Sequence, residues 1–428
     1  MNMKIKMRFA AIIVVIVIAI CVTVGVAVWR MPGSESDIQT ECANTEQASE
    51  NDSDEESSRD TQAPEEYRDK ETHQDNNGNS HIEEILKNMT VEEKAAQLFI
   101  VTPETVTGES VLTEIDSSFV NAYKEFPVGG FIMMQGNIIS PEQITEMNGR
   151  LLEIGSETTG VIPFISVDEE GGTVARIASN ENFPVYNVGN MSDIGIKGST
   201  QKAYEAASYI GSYLTDYGFN LDFAPDADVW INPENTVVKY RSFSSDPQIA
   251  SELTAAAVKG FHNSGIWTTL KHFPGHGATV EDSHEGFARS DRNLNELRQC
   301  EFLPFEYGIK EKSEFVMVGH ISVPEASGED IPASLSETVV SDFLRGELKY
   351  DGIIITDAMN MGAISEYYSS SEAAVMAVQA GVDMILMPSD FQAARKGILD
   401  AVRDGRILEE RLDESVRRIL ELKAKENF

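Results

Sequence analysis

The sequence predicts an α/β protein: a (β/α)8 TIM-like barrel as a single domain, preceded by a transmembrane helix and a disordered acidic linker. Three observations predict this. Short apolar runs recur eight times, at 97–101, 129–134, 162–167, 220–224, 267–270, 315–319, 352–356 and 382–387. Each is too short for a helix and lacks sustained polar alternation, as strands buried on both faces of a parallel sheet do. Helix-like stretches such as 201–217, 247–264 and 372–380 separate them. Eight strands alternating with helices over about 350 residues match the barrel pattern. A doubly wound open sheet is the competitor, but no GxGxxG or Walker motif supports a nucleotide-binding version.

Taken in chain order, residues 1–33 form the first segment. Residues 9–29 hold no charge, and 21 helical residues span about 30 Å of hydrocarbon. Lys4, Lys6 and Arg8 precede the run and only Arg30 follows closely, so the positive-inside rule puts the N-terminus in the cytoplasm and the rest outside. A cleaved signal peptide is the rival, with an unusually long apolar region and a weak site at Gly25-Val26-Ala27. Residues 34–80 carry 15 acidic and three basic residues with one aromatic, Tyr67. Such a stretch cannot bury enough apolar surface to offset chain entropy, so it is expected to be a disordered tether. Residues 81–428 carry the fold. Thr90-Val-Glu-Glu93 is a capping-box pattern that opens their first helix, and a last helix is expected at about 407–425.

Charge and cysteine content exclude several functions. The chain has 70 acidic against 34 basic residues, a balance of −36, which argues against a nucleic-acid partner. Its three cysteines, Cys21, Cys42 and Cys300, offer neither a zinc-ribbon spacing nor a disulfide framework.

In a barrel of this kind the active site lies at the carboxyl ends of the strands. Asp168 follows strand three, Lys271 and His272 follow strand five, His320 follows strand six and Asp357 follows strand seven. Asp357 reads either as a helix N-cap or as a nucleophilic or electrostatic carboxylate. Lys271 and His272 read either as an ion pair with a core histidine or as donors to ligand hydroxyls. Asp282-Ser283-His284 lies in a glycine-rich loop. It reads either as a surface Asx turn or as a carboxylate orienting an imidazole. A metal set of His272, His276, His284 and Asp282 is a further reading, without helical HExxH spacing behind it.

The stretch KHFPGHGATVEDSH (271–284) resembles the signature of family 3 glycoside hydrolases, in the β-N-acetylglucosaminidase branch. VDEEGGTVARI (167–177), NLDFAPDADV (220–229), YRSFSSDP (240–247), GIIITDAMNMGAI (352–364) and AAVMAVQAGVDMILMP (373–388) continue the likeness in order. The resemblance covers about 81–428. It implies a retaining exo-β-N-acetylglucosaminidase with Asp357 as nucleophile, His284 as general acid/base and Asp282 as its dyad partner. Asp168, Arg176, Arg241, Lys271 and His272 would hold the terminal sugar. It implies no metal and no organic cofactor. The expected substrate is terminal N-acetylglucosamine on peptidoglycan fragments or chitooligosaccharides. Glu169, Thr173, Ala278 and Tyr240 depart from the pattern, where Gln, Arg, Asp and Asp are usual.

Three rivals stand beside this reading: a β-glucosidase-like specificity, a phosphate-dependent phosphorylase, and a non-catalytic wall-glycan-binding protein. The expected placement is a single-pass membrane protein with its catalytic domain extracytoplasmic.

Overall fold

A computed structural model describes residues 74–279 and 288–425. The predicted span at 9–29, residues 34–73 of the predicted linker, and Asp282 and His284 lie outside the described residues. Among the described residues no helix is long and apolar enough to cross a membrane.

The principal helices are α1 (Gln74–Asn88), α2 (Val91–Gln97), α3 (Pro141–Thr159), α4 (Thr200–Asp216), α5 (Pro247–Asn263), α6 (Phe302–Lys310), α7 (Ser370–Ala380), α8 (Phe391–Arg403) and α9 (Glu409–Lys423). Helix α1 begins ahead of the boundary expected at 81. Its buried positions, Ile82 and Leu86, are one turn apart and pack into the core. The polar residues before them simply continue the same helix. The capping box forms as predicted: the Thr90 hydroxyl accepts from the Glu93 amide at 3.2 Å, and Glu93 Oε2 accepts from the Thr90 amide at 2.7 Å.

Eight strands match the eight apolar runs: β1 (Phe99–Val101), β2 (Gly130–Ile132), β3 (Phe164–Val167), β4 (Leu221–Asp222), β5 (Thr269–Phe273), β6 (Phe315–Val318), β7 (Ile353–Thr356) and β8 (Ile385–Leu386). They form a five-stranded sheet in the order β8-β1-β2-β3-β4 and a three-stranded sheet in the order β7-β6-β5. Every pairing within these two sheets is parallel. Isolated parallel bridges link the sheet edges, Leu221 to Trp267 and Asp226 to Lys271 on one side and Ile355 to Met384 on the other.

Burial explains the uninterrupted apolar runs. Along β1, Ile100 joins an inner cluster while Phe99 and Val101 face the helices, the two-residue alternation of any strand. The inner cluster draws on seven of the eight strands and on Trp267 just ahead of β5, with Phe164, Trp267 and Phe315 meeting edge to face. Truncating one such ring to alanine typically costs about 3–5 kcal/mol. Ile419 and Leu422 of α9 complete this cluster. Lys423 follows them and donates to the Gly129 carbonyl and to Gln97 at the amino ends of β2 and β1. Helix α9 therefore covers the amino ends of the strands, and their carboxyl ends carry the site.

Candidate active site

Parallel strands deliver their carboxyl ends to one side. Asp168 leaves β3, Asp226 and Asp228 follow β4, His320 follows β6 and Asp357 leaves β7. Strand β5 runs further than its apolar segment. Lys271 and His272 lie inside it, buried to 2% and 6% exposure, because charged partners meet them there.

Those partners form one continuous network. Lys271 Nζ contacts Asp168 Oδ1 at 3.0 Å and Glu170 Oε1 at 2.5 Å. The Arg241 guanidinium grips Glu170 through Nε and Nη2, at 2.9 and 2.8 Å. It also approaches His272 Nε2 at 3.1 Å and Asp226 Oδ2 at 3.5 Å. The opposite ring nitrogen of His272 meets Asp228 Oδ2 at 2.7 Å, and Asp228 Oδ1 accepts the His276 amide at 2.5 Å. Both readings of Lys271 and His272 therefore coincide: they are ion-paired and buried, and they line the open end of the strands.

Charge balance decides each protonation state. Burial would raise the Glu170 carboxyl, but Arg241 and Lys271 outweigh it and hold it well below the usual range. Burial works against the cation of Lys271, and Glu170 and Asp168 reverse that and strengthen its hold on its proton. Asp226 lies beside Asp228 in a buried place, and burial and that neighbour push it well above the usual carboxylate value. Burial lowers His276, and Asp228 only partly counters this.

Asp357, like Asp168, is a part-exposed carboxylate of the set. Its Oδ1 accepts the Ala358 amide at 2.7 Å. It caps no helix, since the next one, Gly362–Ser365, has Met361 at its N-cap. Burial would raise its pKa, yet His272, His320, the Ala358 amide and Lys271 together lower it. It is therefore ionised at neutral pH. His320 is fixed from both sides, by Ser334 Oγ at 2.8 Å and the Ala358 carbonyl at 3.1 Å.

A short antiparallel hairpin, Glu169–Gly171 with Val174–Ala175, carries Arg176 to the site. Its Nη2 lies 3.5 Å from Asp168 Oδ2. Buried Glu169 organises the turn, accepting the amides of Arg176, Ile177 and Ala178 and the Tyr213 hydroxyl. All four partners are donors, so a carboxylate suits the position.

The structure thus gathers Asp168, Arg176, Arg241, Lys271, His272 and Asp357, and leaves Asp282 and His284 outside the described residues. Sequence reasoning missed Glu170, Asp226 and Asp228 as site groups. The strand-end rule finds the two aspartates once it is applied past 220–224. One ligand atom each from Asp226, Asp228 and His272 lies within 4.8 Å of the others, close enough for a metal ion. The Arg241 cation already lies against Asp226 and His272. Of the metal set considered from sequence, the rings of His272 and His276 lie 5.9 Å apart.

Residues 90–422 match the family described as Glycosyl hydrolase family 3 N terminal domain. The chain is 34% identical over 340 residues to Beta-hexosaminidase A of Pseudoalteromonas piscicida, covering 74% of this chain and 56% of that protein. It therefore spans about half the length of that relative. It is 31% identical over 346 residues to Beta-hexosaminidase LpqI of Mycobacterium tuberculosis, covering 78% and 83% of the two chains. The solved structure of a glycoside hydrolase family 3 beta-N-acetylglucosaminidase from Paenibacillus superposes with a TM-score of 0.73 at 37% identity, covering 79% of this chain and 63% of that one.

Proposed function

The chain belongs to glycosyl hydrolase family 3, and on that premise we propose that it is a retaining exo-β-N-acetylglucosaminidase. Its substrates are peptidoglycan fragments or chitooligosaccharides with a terminal N-acetylglucosamine. The observation that carries this reading is Asp357: a part-exposed carboxylate held ionised at the mouth of a network of fixed donors. The eight strands, joined by bridges at both sheet edges, are read as a closed barrel with this site at its carboxyl end.

In the first step Asp357 attacks the anomeric carbon, and the bond from that carbon to the leaving oxygen breaks as His284 gives that oxygen a proton. In the second step His284 takes a proton from water, which displaces Asp357 and releases the sugar. A histidine with a reference pKa near ~6.5 suits both transfers at neutral pH, and Asp282 stabilises its charged form. Asp168, Arg176, Arg241, Lys271 and His272 hold the sugar hydroxyls, and Glu170 and Asp228 fix the cations and the ring that do so. The domain reading keeps residues 81–428 as the catalytic barrel, behind a membrane anchor and an acidic tether that hold it outside the cell near the wall.

The test is release of nitrophenol from 4-nitrophenyl β-N-acetylglucosaminide by the full chain and by Asp357→Ala, with and without phosphate. The expected result is phosphate-independent release that vanishes in the variant. Turnover only with phosphate would make the protein a phosphorylase. Preference for the nitrophenyl glucoside would move it to another family 3 specificity. Sugar binding without turnover would leave a binding module.

A further inference from the structure

Strands β6 and β7 pair in register, with Val318 opposite Thr356. His320, two residues past Val318, then meets Ala358, two residues past Thr356. The chain between these points is closely held. The Asp357 amide donates to the Val318 carbonyl at 2.9 Å, and the Gly319 amide donates to the Phe273 carbonyl at 2.8 Å. A Cβ on Gly319 would stand 3.2 Å from the Cβ of His272, so the chain passes that histidine without slack.

His320 is fully buried, and its ring is gripped at both nitrogens. Nδ1 lies 2.8 Å from Ser334 Oγ, and Nε2 lies 3.1 Å from the Ala358 carbonyl. A carbonyl oxygen can only accept, so Nε2 carries a hydrogen and donates it. The same carbonyl accepts the Met361 amide at 3.1 Å. Its two lone pairs are therefore both engaged, which fixes the peptide on that side of Ala358. On the other side, the Ala358 amide donates to Asp357 Oδ1 at 2.7 Å. The imidazole thus holds the residue whose amide aims the carboxylate. Ser334 is buried too, in the short turn Ala333–Leu335, and its amide donates to the Gly319 carbonyl at 3.3 Å. The hydroxyl and the ring it steadies are tied to the same point of the chain.

We infer that His320 is a positioning residue for the glycosidase reaction, which fixes the attacking carboxylate of Asp357 through the Ala358 peptide. The inference rests on the glycosidase reading. A histidine paired at both nitrogens inside a core commonly serves packing alone. His320 differs because its N–H is spent on the peptide beside the reacting group. A nucleophile must stand about 3–3.5 Å from the carbon it attacks, and a misplacement of about 1 Å costs on the order of 10²-fold in rate. The amide on Oδ1 selects one orientation of the Asp357 side chain, and that amide is only as fixed as its own residue. Electrostatics point the same way. Burial raises the pKa of Asp357, and His272, His320, the Ala358 amide and Lys271 lower it.

The test follows hydrolysis of the nitrophenyl N-acetylglucosaminide by the full chain carrying His320→Ala, His320→Gln or Ser334→Ala. His320→Ala should lower kcat/KM about 10²-fold. It should leave the inhibition constant of free N-acetylglucosamine within about twofold of wild type, because the groups that hold the sugar are untouched. The acid limb of its kcat/KM profile should move to higher pH, since Asp357 loses a group that keeps it ionised. Glutamine carries an N–H near the place of Nε2, so His320→Gln should recover kcat/KM to within about tenfold of wild type. Ser334→Ala keeps the ring but releases it, and should cost about tenfold, the size of one hydrogen bond. Should the alanine variant at 320 fail to fold, these two variants carry the test. An unchanged kcat/KM in the folded variants overturns the positioning role. So does a loss matched by an equal rise in the inhibition constant, or a glutamine variant as slow as the alanine one. A wild type inactive on this substrate overturns the glycosidase reading itself, and the role of His320 falls with it.

Discussion

Both ends of the parallel strands hold buried charge, but the two ends balance it differently. At the amino end, Asp383 is enclosed by Arg345, Arg411 and Arg418, and it also accepts the Ile354 amide and the Ser415 hydroxyl. Burial would raise its pKa, and the three guanidinium groups lower it instead. Each of its oxygens has partners inside the protein. At the carboxyl end, Asp168 and Asp357 each keep part of their surface open, and Arg176 and Lys271 converge on Asp168. A buried ion pair is weak evidence for stability and stronger evidence for a fixed arrangement. The closed set fixes the architecture. The open set keeps unspent valence for a ligand.

Substitutions can break this contrast, and the largest effect belongs at the open end. Asp357→Ala should cost on the order of 10⁴-fold in turnover, while its urea midpoint stays close to wild type. A variant that unfolds would show that Asp357 belongs to the architecture. At the closed end, Asp383→Ala should cost roughly 3–5 kcal/mol of stability, because three arginines are left without their anion. Turnover per folded molecule should hold, as denaturant titration beside activity would report.

Lys271→Met belongs to both classes. It leaves Asp168 and Glu170 facing each other without their shared cation, so kcat/KM should fall by about 10²-fold and stability by about 2 kcal/mol. A loss in only one of the two would assign the residue to one role.

The smallest effect sharpens the contrast through pH. Burial lowers Lys423 to about 7. Between that value and the lysine's ordinary one, the unfolded chain carries a proton there that the folded chain lacks. Stability should therefore rise with pH, by at most about 1.4 kcal/mol per unit. Lys423→Met should flatten the rise between pH 7.5 and 9.5 in chemical denaturation, and an unchanged slope would remove Lys423 as its source.

The open end was far more legible in the sequence than the closed one. Asp357, Lys271 and His272 stand directly against apolar runs, so the strand-end rule finds them. Arg176 and Arg241 came through the resemblance, because loop arginines carry no local signal. Glu170 looked like one more acid in an acidic chain, and only the approach of β5 and Arg241 makes it a pivot. Asp383 stands inside the apolar run 382–387 and Lys423 in the last helix, and neither position carries a local sign of its partners. Lys423 sits in a polar carboxyl-terminal helix, and nothing local predicts that the helix tucks beneath the strands. Strand order followed from the alternation of runs and helices. The bridges at the sheet edges did not, since they depend on backbone twist rather than on side-chain pattern.

The pairing of β1 with β8 sets a schedule for synthesis. Phe99 pairs with Ile385, 286 residues later in the chain. At roughly 5–20 residues per second of translation, the free edge of β1 waits tens of seconds for its partner, and α9 emerges after that. Throughout this interval the inner cluster has neither its last strand nor its floor. The nascent chain therefore exposes an unpaired apolar strand edge, the surface that chaperones protect and that neighbouring chains can capture. For this protein the hazardous period is birth, well before any substrate is met.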